Sequence, residues 1–279
     1  VEATLTPWAL VPAAVPAAGT EREWKGRCIV GMVLYDEGGA GAPILLLHGL
    51  MGSARTWRSQ LDWLREFGHV HTFDAAGRGR PAPAELTTEA FVDDLAAATA
   101  HIAEPMVVIG HSMGALHGWV FTAAHPERVR ALVVGDIAPD FRGRTAANWA
   151  AMIEAWPQPF ADEAAMLEFF GPVAGRYFLD SFERGPDGYR LHGEVPTFRD
   201  ISEEWGTRDF WTEWKSITVP ALLIEGEHTI TPPGQMQEMA AVHPDVRHVV
   251  IAHAGHLVHD DQPAAYRAEV EAFLRRVLV

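Results

Sequence analysis

A serine hydroxyl becomes a useful nucleophile only when a neighbouring base takes its proton and a third group orients that base. One serine in this chain has a setting that suits such chemistry. Met106-Val107-Val108-Ile109 is an unbroken apolar run, Gly110-His111-Ser112-Met113-Gly114 follows, and Ala115-Leu116-His117-Gly118-Trp119-Val120 continues as a helical pattern. A G-x-S-x-G match gains meaning between a buried strand and a helix, where the serine sits on a sharp turn with its oxygen lifted clear of the sheet. Small residues at 110 and 114 let neighbouring backbone pass, and the positive end of the helix lies under the hydroxyl. Ser112 is therefore the candidate nucleophile; the competing reading is an ordinary helix N-cap serine.

The candidate base is His256, in Ala252-His253-Ala254-Gly255-His256-Leu257. It follows the last expected strand and precedes the last expected helix, in a loop that Gly255 loosens. His253, His259 and His111 compete for the role, with His111 expected to point away from the nucleophile. Histidines at 253, 256 and 259 near Asp260 and Asp261 also raise a metal site. That spacing matches no short metal-binding motif and a loop could not hold it on one face, so neither metal nor cofactor is expected. Cys28 is the sole cysteine, which excludes an intrachain disulfide and any cysteine-built zinc or iron–sulfur centre.

These residues must be carried to one place by the elements around them. Strands are expected at 28–36, 44–47, 69–74, 106–110, 130–136, 220–226 and 246–251. Helices are expected at 54–67, 88–102 (capped by Thr87 or Thr88), 113–125, 233–243 and 261–277. Such alternation is the mark of an α/β protein with a mostly parallel sheet covered on both faces by helices. Residues 139–215 break the rhythm and hold more than half of the aromatic side chains. A plain loop of that length would be unusual, so several short helices are expected, packed among themselves and able to cover a site. The division is thus an N-terminal extension at 1–27, a core at 28–138 and 216–279, and a helical insertion at 139–215. Residues 1–19 are alanine-rich but carry no basic n-region and are interrupted by Pro7, Pro12 and Pro16. They read as a flexible or surface-packed extension rather than a signal sequence.

With His48-Gly49 at a strand end, the Asp74-x-x-Gly77-x-Gly79 turn and the late Ala254-Gly255-His256 segment, the elbow at 110–114 makes the chain from about residue 28 onward resemble the α/β-hydrolase superfamily. The resemblance implies that family's fold, a cap built from residues 139–215, and a Ser-His-acid triad. In most of the family the acid follows the seventh strand in a Gly-x-x-Asp pattern, but here that place reads Gly226-Glu227-His228-Thr229. Asp136, in Val134-Gly135-Asp136-Ile137-Ala138-Pro139, instead resembles the serine esterase-like branch whose acid follows the sixth strand. Both positions end near one sheet edge, so Glu227 stays a rival, and a turn or N-cap role for Asp136 stays open. Asp74 and Asp140 read as turn or surface residues.

An oxyanion needs donors already aimed at it, and main-chain N–H groups suit the task because they are rigid. Met113, directly after the nucleophile, and Leu50, after His48-Gly49, would supply them. The expected substrate pocket comprises His48, Gly49, Met51, Trp57, Trp149, Trp156 and Trp211. His48 is also expected to hydrogen-bond within its loop, and Trp57 reads equally as core.

Acidic residues number 37 against 22 Lys plus Arg, a formal charge of −15. That balance argues against nucleic acid and anionic membrane surfaces as partners. No unbroken 18-residue apolar stretch suggests a membrane span, and the lack of disulfides fits a cytoplasmic location. The expected activity is cleavage of a carboxylic ester of a medium-sized apolar or aromatic small molecule through an acyl-enzyme. The alternatives are a lactone, thioester or C–C bond hydrolase, a cofactor-free haloperoxidase, and a ligand-binding receptor with a vestigial triad. Arg55, Arg78, Arg80 or Arg142 could favour anions near the cleft, and a homodimer is compatible with the sequence.

Overall fold

In the computed structural model, residues 26–29, 32–77, 85–144 and 147–279 are described. Most of the expected N-terminal extension, together with Arg78, Gly79 and Arg80, lies outside them. Ten strands alternate with helices: β1 (Gly26–Ile29), β2 (Met32–Gly38), β3 (Pro43–Leu47), α1 (Arg58–Leu64), β4 (His69–Asp74), α2 (Thr88–Ala98), β5 (Met106–His111), α3 (Met113–Ala124) and β6 (Val129–Gly135) form the first part. Then come α4 (Ala147–Glu154), α5 (Glu163–Phe170), α6 (Pro172–Ser181), β7 (Phe182–Gly185), β8 (Gly188–Leu191), α7 (Val195–Thr207) and α8 (Trp211–Ser216). The chain closes with β9 (Ala221–Gly226), α9 (Gln235–Val242), β10 (Val246–Ile251), α10 (Val258–Asp261) and α11 (Pro263–Val277).

The large sheet has the order β1-β2-β4-β3-β5-β6-β9-β10. All neighbours are parallel except β1–β2 and β2–β4. Alternate residues of each inner strand feed two different cores, which explains why these strands read as solid apolar runs. Leu45 and Leu47 join the cluster under α2, α3, α8 and α9, whereas Ile44 and Leu46 join the one under α1, α10 and α11. No helix among the described residues is long and apolar enough to cross a membrane.

Three expectations need correction. The run 28–36 is not one strand but two antiparallel ones, with Ile29 facing Met32; a continuous apolar run does not reveal a reversal within it. The segment expected as one helix at 54–67 is a short 3-10 turn, Ala54–Trp57, leading into α1. Within 139–215 the helices are joined by the β7–β8 hairpin, whose strands are too short to show alternation.

Residues of α4 to α7 enclose a third apolar cluster rich in aromatics: Trp156, Phe160, Phe170, Tyr177, Phe178, Phe182 and Phe198. Leu257, next to His256, is buried in the same cluster, and Leu50, Met51 and Trp149 pack against it. The helical segment is thereby seated on the loops that follow β3 and β10.

Candidate functional site

The strand register sets the site. Leu47 pairs with Gly110, His111 with Gly135, Gly135 with Ile224, and Ile251 with Gly226. The loops after β3, β5, β6, β9 and β10 therefore leave one sheet edge together. β3 leads on to β4 on one side while its other neighbour, β5, leads on to β6 on the opposite side, and such a switch of direction opens a crevice at the carboxyl ends of the strands.

Ser112 joins β5 to α3 with φ 52 and ψ −125, a conformation that a side-chain-bearing residue adopts only under constraint, at a cost of about 1–3 kcal/mol. The constraint is visible. Ser112 N–H donates to Gly135 O at 2.8 Å, while Ser112 O accepts from Ala115 and Leu116 at 2.9 and 3.1 Å, so strand and helix meet with no slack. A Cβ at Gly110 would overlap the Ala115 backbone, and one at Gly114 would overlap the Leu47 carbonyl. Glycine at both positions is what lets the turn form.

His256 Nδ1–H donates to Asp136 Oδ2 at 2.8 Å. Asp136 is fully buried, and its Oδ1 accepts from Gly226 N–H at 2.9 Å. Like Ser112, Asp136 has a positive φ, of 49, and its own N–H is held by Ile224 O at 2.9 Å. Glu227 goes elsewhere: its Oε2 accepts from His253 N–H at 2.7 Å on the surface. The ring of His256 is thus oriented by Asp136.

Among the described residues no hydrogen bond joins Ser112 Oγ to the His256 ring. Such bonds are often long in unliganded enzymes and tighten with substrate. His111 ties the two together. It precedes Ser112 in the chain, its ring centroid is 4.7 Å from that of His256, and its Nε2–H donates to the His256 carbonyl at 2.7 Å. Burial, reinforced by His256 and His259 nearby, holds the His111 pKa well below the usual imidazole range, so it is neutral. The expectation that His111 merely points away missed this contact, which bridges 145 positions of sequence and leaves no local signal.

On the oxyanion side, Gly49 brings the loop after β3 against the elbow; a Cβ there would lie 3.3 Å from Ser112 Cβ. The N–H groups of Met113 and Gly114 belong to the first turn of α3, where a helix has no acceptor of its own to offer. His48 acts inside its loop: Nδ1–H donates to Gly49 O at 2.7 Å and Nε2 accepts from Ala75 N–H at 3.1 Å. Asp74 is likewise a brace, taking Ala54 N–H at 2.6 Å and the Tyr35 hydroxyl at 2.9 Å.

The expected pocket divides. Gly49 lies against Ser112, and Met51 and Trp149 pack against the aromatic cluster that also holds Leu257, whereas the contacts of three other tryptophans are with packed side chains. Trp57 is buried in the core under α1 and stacks on His259 at 4.8 Å. Trp156 is enclosed by Phe170 and Phe178 within the third cluster. Trp211 packs against the core beneath α3 with Lys215 over its ring. Large aromatic area is worth most when fully buried, and these side chains are used for packing.

The site and its sheet define a class. The sequence pattern described as the Alpha/beta hydrolase family matches residues 44–269, and the chain belongs to that family. It is 26% identical over 272 residues to the (Lyso)-N-acylphosphatidylethanolamine lipase of Mus musculus, covering 84% of this chain and 80% of that protein. It is 25% identical over 241 residues to the 2-(acetamidomethylene)succinate hydrolase of Mesorhizobium japonicum, covering 81% and 86%. Among solved structures, a marine microorganism esterase is similar at a TM-score of 0.69 and 26% identity, covering 88% of this chain and all of that one (100%).

Proposed function

We propose that this chain is a serine hydrolase of the esterase-like branch, cleaving carboxylic esters of medium-sized apolar or aromatic molecules through an acyl-enzyme. Ser112 Oγ attacks the acyl carbon as His256 Nε2 accepts its proton. Asp136 holds the imidazole with Nδ1 protonated and stabilises the imidazolium that forms. The N–H groups of Leu50 and Met113 receive the oxyanion. Collapse of the intermediate expels the alcohol, protonated by His256. Water, deprotonated by the same histidine, then releases the acid and restores the serine. Residues 139–215 serve as the cap, with Trp149, Met51, Leu50 and Leu257 as the apolar border of the cleft.

One observation carries the reading: a buried aspartate 2.8 Å from the histidine ring, beside a serine held in a strained strand-to-helix turn. The hydrolase, lipase and esterase names of similar proteins support it. The test is a panel of p-nitrophenyl esters, lactones and thioesters of graded length, run on wild type and Ser112→Ala. Esters are expected to be the best substrates, and the variant should lose about 10⁶-fold in kcat, as removal of a serine nucleophile does elsewhere. Ester hydrolysis undiminished in Ser112→Ala would refute the proposal.

A further inference from the structure

At the opposite end of the sheet, three potential ligand groups converge outside the catalytic machinery. Asp36 in β2 lies directly across from His71 in β4. His69, two residues before His71, projects from the same face. The His69 and His71 rings stack, with centroids 4.7 Å apart and planes within 6°. His69 Nε2–H donates to Asp36 Oδ1 at 2.7 Å, and that oxygen is also fixed by Gly38 N–H at 2.8 Å. One ligand atom from each of the three residues lies within 4.8 Å of the others.

An ordinary ion pair accounts for His69 and Asp36 but not for His71. That side chain is only 8% exposed, and it is held beside the other two groups without joining their hydrogen bond. His101, just beyond α2, is near enough to act electrostatically on it.

We propose that Asp36, His69 and His71 bind a divalent transition-metal ion of the zinc class. Two imidazole nitrogens and a carboxylate oxygen suit zinc, cobalt, nickel or copper better than magnesium or calcium. Metal–ligand distances of about 2.0–2.2 Å put neighbouring ligand atoms about 3.3 Å apart, so the widest separation must close by up to about 1.5 Å while the hydrogen-bonded His69–Asp36 pair opens slightly. His71 is the fixed member, while the more exposed His69 and Asp36 supply the movement. The ion replaces the proton that His69 Nε2 now shares with Asp36, and water completes the shell. Because His69 opens β4 at the edge remote from Ser112, the ion supports the fold rather than acyl transfer.

The test is calorimetric titration of tag-free, chelator-treated protein with zinc chloride, paired with thermal melting. Wild type is expected to bind one equivalent and melt at a higher temperature with zinc. His69→Gln and Asp36→Asn, both on the exposed side of the cluster, should weaken binding by about tenfold or more and lose the melting shift. His253→Gln, which removes the exposed histidine beside Glu227, should leave both unchanged. Undiminished affinity in both cluster variants, absence of binding in wild type, or loss of binding in His253→Gln instead would overturn the assignment.

Discussion

Ser112 and Asp136 are both non-glycine residues at positive φ, each pinned by a main-chain bond to the neighbouring strand. Strain at two points of one sheet edge is tolerated where the surrounding sheet leaves no alternative, and at Asp136 it brings the carboxylate onto the His256 ring. Asp136→Asn should therefore lower kcat by about 10⁴-fold, since the amide favours the wrong imidazole tautomer. Glu227→Gln should stay near wild type, because Glu227 serves only the His253 main chain. Steady-state kinetics on a single ester decide the matter, and a larger loss in Glu227→Gln would move the acid role to that residue. The strained turn at Ser112 and the His256–Asp136 pair were legible because each residue sits in a short motif whose backbone demands are written in adjacent glycines or strand ends. The tryptophans were not. Residue type says that Trp57, Trp156 and Trp211 seek burial, but not whether they face a cleft or a core.

Among the elements, α6 is tied to the core by a polar contact as well as by its aromatic side chains. Ser53 Oγ–H donates to Asp180 O at 2.8 Å, and Arg58 Nη1 meets Asp180 Oδ1 at 2.6 Å. Burial pushes the Asp180 carboxyl up to about 7, against the pull of Arg58 and Arg55. An unfolded chain ionises that group near 3.8, so between the two values the unfolded state holds fewer protons than the folded one. The stability that Asp180 contributes is complete below the unfolded value and is lost as pH rises through about 7. His259 works in the other direction: burial lowers it to about 4, so its contribution is present above 6.5 and is lost as pH falls. Urea denaturation of Asp180→Asn beside wild type, from about pH 4 to about pH 8, separates the two. The variant should lack the decline that accompanies Asp180 ionisation and keep the acid-side loss from His259; identical slopes in both proteins would show that Asp180 is ionised throughout. Here the sequence spoke unevenly. Helices with long apolar periodicity, such as α3 and α11, announced themselves. The β7–β8 hairpin, with only Pro186-Asp187 between its strands, was hidden by the helical pattern on either side.

For the whole molecule, alternation of strand and helix was enough to foresee a sheet covered on both faces, because parallel strands need crossovers and buried strands need apolar residues on both sides. The antiparallel β1–β2 edge obeys neither condition and could not be foreseen that way. Charge is a property of the same scale. A net −15 surrounds the site, so on the proposed reading, with an apolar cleft border, approach of an anionic ester is opposed by the field of the entire protein rather than by any one contact. That field reaches about 30 Å at 0.01 M ionic strength and only about 8 Å at 0.15 M. For an ester bearing a carboxylate on its acyl chain, kcat/KM should rise as salt is added across this range. A neutral ester of equal length should show a flat profile, since its encounter rate carries no charge term. Stopped-flow or initial-rate measurements at low substrate report kcat/KM directly. A fall with added salt for the anionic ester would mean that cations near the cleft, such as the exposed Arg55 or Arg58, override the global charge and draw anions in.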